Sequence, residues 1–141
     1  MRDLMNSFNV IRAISPVATA ADNTPVVSQI IDRQGYDSIT FVIATGALPD
    51  ADATFAVTMD HGDVSNLSDA VAVPAAELVG TYALAGFIFS DDDKTRKIGY
   101  NGSKRYTRLT ITPAANSSAS LLAAVAILGH PTLAPTTNPP A

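Results

Sequence analysis

The chain has no cysteine and no tryptophan. The first absence removes disulfide bridges, thiolate metal sites and a cysteine nucleophile together, so non-covalent contacts alone must hold the fold. Only two histidines occur, His61 and His130, which excludes a multi-histidine metal centre within one chain. Aromatic residues make up 6% of the sequence, and much of its 47% hydrophobic content is alanine and valine. That composition suits thin sheets of small residues better than a bulky core. The eight glycines are dispersed and form no Gly-x-Gly-x-x-Gly or Walker pattern, so no loop is offered to a nucleotide phosphate. No apolar run reaches a membrane-spanning length; Leu121 to Gly129 is roughly half of what a helix would need. The opening MRDLMNSFNVIRAISP also lacks the apolar core of a secretory signal. The expectation is a protein made in the cytoplasm and used without secretion, with no membrane partner.

What is present is acidic and β-rich. The formal charge of -4 argues against general nucleic-acid binding, which needs a concentrated basic surface. Twelve of the thirteen acids are Asp, scattered through turn-like segments, whereas six of the nine bases fall between Lys94 and Arg108. Lys97, Lys104, Arg105 and Arg108 are the candidate docking residues of that basic stretch. Its structural alternative is a solvated strand edge guarded by Lys and Arg.

At 141 residues the chain suits one domain with trailing ends. Residues 1–24 read as an N-terminal arm with a first short strand at Phe8 to Ile14, stopped by Ser15-Pro16. Residues 25–130 read as the domain proper, and 131–141, with four of the nine prolines, as an extended arm. Within the domain, Val26 to Ile31 is rich in β-branched residues and reads as a strand closed by a turn at Asp32 to Gly35. Tyr36 to Thr45 alternates Ile39, Phe41 and Ile43 with Thr40, Val42 and Ala44. Both faces are largely apolar, which predicts a central strand or one covered by another subunit. Thr54 to Met59 is expected to pair with it as a hairpin. Ala70 to Val73 and Leu78 to Ala83 predict short strands, and a helix over Ala75 to Ala85 is disfavoured by the lack of a charged face. Lys97 to Pro113 reads as a hairpin about Asn101-Gly102-Ser103, since Asn-Gly is a strong hairpin-turn signal. In its second arm Thr107, Leu109 and Ile111 fall on one face and Tyr106, Arg108, Thr110 and Thr112 on the other, as suits a half-buried strand, and Pro113 ends it. Ser120 to Leu128 fits a buried strand better than a helix in these surroundings. Eight or nine short strands at this spacing predict an all-β fold, an antiparallel β-sandwich or jelly-roll-like single domain with extended N- and C-terminal arms.

Reactive chemistry is sparse. Asp60-His61-Gly62-Asp63 and Asp91-Asp92-Asp93 gather oxygens, but neither has the ligand spacing of an EF-hand, and Asp is at home capping turns. No serine lies in a Gly-x-Ser-x-Gly elbow. His130 reads as a loop residue. Tyr100 and Tyr106 read as a cross-strand aromatic pair more readily than as a stacking platform. Asn66, Asn101 and Asn116 match the glycosylation pattern and read as turns. No catalytic, cofactor or metal residue is therefore assigned.

RQGYDSITFVIATGALPDADATFAV at 33–57 and TRKIGYNGSKRYTRLTITP at 95–113 resemble small head-associated structural proteins of tailed bacteriophages and prophages, over roughly Val26 to Pro131. The resemblance implies a decoration or cement protein on the outer capsid surface, bridging neighbouring major capsid proteins as a homo-oligomer, with a trimer favoured. It carries no site motif. A tail or baseplate module and a carbohydrate-binding sandwich are the alternatives; an enzyme is the least supported.

Overall fold

A computed structural model describes residues 2–140. The strands are β1 (Phe8–Ala18), β2 (Val26–Val27), β3 (Ile31–Asp32), β4 (Tyr36–Thr45), β5 (Thr54–Gly62), β6 (Val71–Ala72), β7 (Leu78–Val79), β8 (Phe87–Ile88), β9 (Thr95–Tyr100), β10 (Tyr106–Ala114) and β11 (Leu121–Pro131); one helical turn, α1 (Tyr82–Ala85), precedes β8. One sheet has the order β1-β11-β4-β9-β7. The other runs β2-β10-β5-β6, with β3 also on β10 and β8 on β5. Every pairing is antiparallel, and the two sheets form the expected sandwich. The core lies between them: Ile39, Phe41 and Ile43 of β4 and Leu122, Ala124, Ala126 and Leu128 of β11 from one side, Phe55, Val57 and Met59 of β5 and Leu109 and Ile111 of β10 from the other.

Strand periodicity was a good guide to the inward faces and a poor one to neighbours. The two expected hairpins do not form. β4 belongs to the first sheet and β5 to the second, and residues 46–53 between them cross the end of the sandwich with Leu48 and Ala53 buried. Likewise β9 pairs with β4 and β7 while β10 pairs with β5, β2 and β3. Residues 101–105 are therefore a crossover between sheets. Neither Asn101 nor Gly102 has positive φ, so the turn that Asn-Gly favours is absent. The crossover is held instead from outside itself: Arg33 donates from Nη2 to the Gly102 carbonyl at 2.9 Å and from Nε to the Lys104 carbonyl at 2.5 Å.

Other boundaries shift for identifiable reasons. β1 runs through Ser15-Pro16, because it is an edge strand and its register shifts fall between Arg12 and Val17; proline is tolerated at edges and bulges. Pro113 sits inside β10 opposite Phe55 and does not end it. The segment 26–31 divides in two at Ser28, whose amide donates to the Leu109 carbonyl while its hydroxyl accepts the Leu109 amide. A side chain thus replaces the backbone of the ladder for one step. Gly35, at φ +87, makes the turn into β4. Ala75 to Ala85 holds only a 3-10 turn and α1, flanking β7.

The ends are tied down among the described residues. Thr132 donates to the Gly35 carbonyl, and Thr136 donates through its amide to Asn6 and through its hydroxyl to Phe8. The C-terminal segment thus lies against the start of β1. Within the two expected arms, Thr136 is thus bonded to residues 6 and 8; Met1 and Ala141 fall outside the described residues.

Candidate functional site

The four candidate docking residues do not share one surface. Lys97 stands on the outer face of the five-stranded sheet, exposed and opposite Val42. Lys104 and Arg105 lie on the crossover, and Arg108 lies on the outer face of the second sheet. Three of the four already have carboxylate partners: Lys104 with Asp63 at 2.6 Å, Arg105 with Asp32 through two bonds of 2.9 and 2.8 Å, and Arg108 with Asp60 at 3.1 Å. Arg105 also lies over the Tyr106 ring, 4.9 Å from its centroid. The hydrogen bond from Lys104 holds the Asp63 carboxyl below its ordinary range, and that from Arg105 does the same for Asp32. Among the described residues Lys97 has no ion pair.

Tyr100 and Tyr106 are not a cross-strand pair, since they lie in different sheets. Tyr100 is buried at 3% exposure and His61 at 4%. The Tyr100 hydroxyl meets His61 Nδ1 at 2.8 Å and accepts the Lys104 amide at 3.0 Å. Burial pushes the Tyr100 hydroxyl pKa upward. Glu77 Oε2 lies 3.4 Å from the same His61 nitrogen and makes no hydrogen bond. The cluster links the sheets from inside. Among the described residues no three His, Asp or Glu side chains gather as metal ligands. The Asp-rich turns act as caps: Asp91 accepts the Ile88 amide and pairs with Lys94 and Arg96, and Asp69 accepts the amides of Asp63 and Val64. His130, at φ +52, is held by Ser38 Oγ at 2.9 Å.

The sandwich's two outer faces differ in chemistry. On the second sheet, outward positions pair Thr112 with Ala56, Thr110 with Thr58, and Arg108 with Asp60. This is an ordinary solvated face. On the five-stranded sheet, one outward row crosses Val10, Ile127, Thr40, Gly99 and Val79, and the next crosses Arg12, Val125, Val42 and Lys97. Ala123 and Ala44 follow. No carboxylate occurs in these rows, and their only charges stand near the two borders. Beyond Gly99, Val79 (61% exposed) and Leu84 (73% exposed) bound a groove of about 480 Å³ floored by Thr40, Thr95 and Gly99. The apolar outer side of Tyr36 to Thr45 was legible as sequence; that Leu121 to Pro131 lies beside it and extends the patch was not.

The exposed strand edges are short or occupied. β7 and β6 have two residues each. The long edge of β1 gives its Ala13 carbonyl to the Gln29 amide, its Arg12 carbonyl to the Gln29 side chain and its Phe8 carbonyl to Thr136. Such edges resist strand-to-strand pairing with another chain.

No family model and no curated protein sequence matches this chain. Solved structures of similar outline include the CBM22-1–GH10 modules of Clostridium thermocellum xylanase 10B complexed with xylohexaose (TM-score 0.46, 10% identity, 95% of this chain and 28% of that one). Infectious bursal disease virus, Gx strain, gives a TM-score of 0.47 at 12% identity over 87% of this chain and 32% of that one. The SPBc2 prophage-derived protein YomS gives 0.45 at 6% identity, over 89% of this chain and 99% of that one. This chain thus spans a third or less of the first two. At these values the likeness is one of general strand arrangement.

Proposed function

We propose that this chain is a non-enzymatic structural protein of a tailed-phage or prophage virion, a decoration or cement protein on the outer capsid surface that bridges neighbouring major capsid proteins. The observation that supports this reading is the asymmetry of the sandwich: closed edges, one solvated face and one broad apolar face that water disfavours. That is the anatomy of a building block whose surface is completed by assembly. Lys104 and Arg105 on the crossover, with Arg108 on the neighbouring outer face of the second sheet, are the residues turned toward the shell. Docking there exchanges the carboxylates of Asp63, Asp32 and Asp60 for carboxylates of the partner. Each contact is weak, and many equivalent copies supply the avidity.

The groove beside Lys97 favours a second reading, a carbohydrate-binding sandwich. Thr40, Thr95, Arg96 and Lys97 supply polar groups there, while its lining holds no aromatic ring on which a sugar would stack. Glycan binding lost on Lys97→Ala would establish that alternative. The direct test of the main reading is cryo-electron microscopy of particles from the source virus. Density for this fold at capsomer junctions is the expected result; density only on the tail would assign it to a tail or baseplate module, and none on the particle would overturn the virion role.

A further inference from the structure

We infer that the apolar outer face of the five-stranded sheet is covered by the same face of a second copy of this chain, related by a two-fold axis lying between the sheets. The inference rests on the assembly-subunit reading and names what completes the subunit.

Area is the first argument. Strands lie about 4.8 Å apart and rise about 3.3 Å per residue; with β1, β11 and β4 contributing about eight residues each, and β9 and β7 only their six and two, the face presents roughly 500 Å² per copy. A pair therefore buries roughly 1,000 Å², the size of a weak, reversible interface and above that of most lattice contacts.

Shape and chemistry are the second. The centre of the face is made of Val42, Val125, Thr40, Ala123 and Ala44, which are small, uncharged and low in relief. A flat apolar surface is complementary to itself and needs no matching pattern of donors and acceptors, so an isologous pairing is available without any further residue. It closes at two copies, unlike the trimer that the family resemblance implies. The charges near its borders, Arg12 and Lys97, are on long stems that can lie along apolar surface with the charged head in water.

Charge also separates this occupant from an acidic partner protein. Two copies set Arg12 and Lys97 against the same residues of the other chain, and each copy carries a formal charge of -4, so added salt screens a repulsion and strengthens the pair. An acidic partner would be attracted by Arg12 and Lys97, and salt would weaken it.

The test is sedimentation equilibrium of the full chain over a concentration series, from about 0.1 M to about 1 M salt, where the screening length falls from ~10 Å to ~3 Å. The expected result is a monomer–dimer equilibrium that shifts toward dimer as salt rises. Ala44→Arg, at an exposed position on the face, should raise the dissociation constant at least about 10-fold. Thr58→Asp, exposed on the other sheet, should leave it within about 2-fold. Because the chain has no cysteine, Val42→Cys and Val125→Cys provide a second readout that does not depend on blocking the face. Either should be cross-linked between copies by a short bis-maleimide, which spans the roughly 10 Å between facing sheets, whereas Thr58→Cys should not. A monomer at all concentrations, a dimer that weakens with salt, or equal effects of the Ala44 and Thr58 variants would overturn the pairing. Particles that carry a chain unable to pair in solution would overturn it while leaving the virion reading intact. A paired chain missing from particles would support the pairing and reject the virion role.

Discussion

The hydroxyl of Tyr100 meets Nδ1 of His61 at 2.8 Å in the interior, joining β9 of one sheet to β5 of the other. The same hydroxyl accepts the Lys104 amide, so a single oxygen holds the crossover down and spans the sandwich. Tyr100→Phe keeps the ring and its edge-on contact with His61, whose planes lie at 89°. It strips a partner from the buried His61 nitrogen and from the half-buried Lys104 amide. We expect a stability loss of about 1–3 kcal/mol, the usual cost of stranding a buried hydrogen-bonding group. Urea denaturation measures it; an unchanged midpoint would show that water replaces the hydroxyl.

Two glycines should respond oppositely in mechanism and unequally in size. A Cβ on Gly102 would stand 2.1 Å from Glu77 Oε2 and 2.3 Å from the Tyr100 hydroxyl, so Gly102→Ala forces the clamp apart. A loss of at least about 2 kcal/mol is expected, in the upper part of the range for overpacking. Gly35, at φ +87, has nothing within 4 Å of its would-be Cβ. Gly35→Ala should therefore cost only the left-handed backbone penalty, about 1–2 kcal/mol. Gly35→Asn should cost less, because Asn tolerates that region. Equal losses for Gly102→Ala and Gly35→Ala would contradict the steric account.

The protein should be acid-sensitive in a defined direction. Hydrogen bonds from Arg105 to Asp32, from Lys104 to Asp63 and from the Ile88 amide to Asp91 hold these carboxyls below their ordinary range. In the window beneath an unfolded carboxyl pKa of about 3.9, the unfolded chain binds more protons than the folded one. Stability is therefore full above that value and declines as the pH falls through the depressed folded values. A denaturation midpoint flat from neutral pH to about 5 and dropping below about 4 is expected. A midpoint steady down to pH ~3 would mean that these pairs contribute nothing.

Charge reversal at the crossover separates docking from folding. Lys104→Glu with Arg105→Glu sets like charges against Asp63 and Asp32, and should lower both particle occupancy and, slightly, the melting temperature. The swapped pair Asp63→Lys with Lys104→Glu restores the internal attraction with its sign inverted. It should regain the melting temperature but not the occupancy, measured by co-sedimentation with capsids. Recovery of both would assign Lys104 a purely structural role.

How far the sequence could be read depends on the distance over which each signal acts. Alternation along Tyr36 to Thr45 and Thr107 to Ile111 marks inward faces correctly, because which side of a strand is dry is written in that strand alone. The β-rich class and the strand at Leu121 followed for the same reason. By itself, then, the sequence determined an all-β sandwich, the inward faces of its long strands, and the lack of thiolate chemistry. Strand partners were another matter. Two antiparallel strands in one sheet and two strands facing each other across the core present the same alternating pattern. Asn101-Gly102 favoured the first, and Arg33, the Glu77 carbonyl that accepts the Asn101 amide at 2.8 Å, and the buried hydroxyl of Tyr100 imposed the second. Only the tertiary structure could decide that, since those residues come from separate parts of the chain. It also dispersed the basic stretch of Lys97 to Arg108 over three surfaces, pairing most of it with local aspartates. And it set β11 beside β4, turning two individually modest strands into one continuous apolar face, because area that excludes water accumulates across neighbours and not along a single strand.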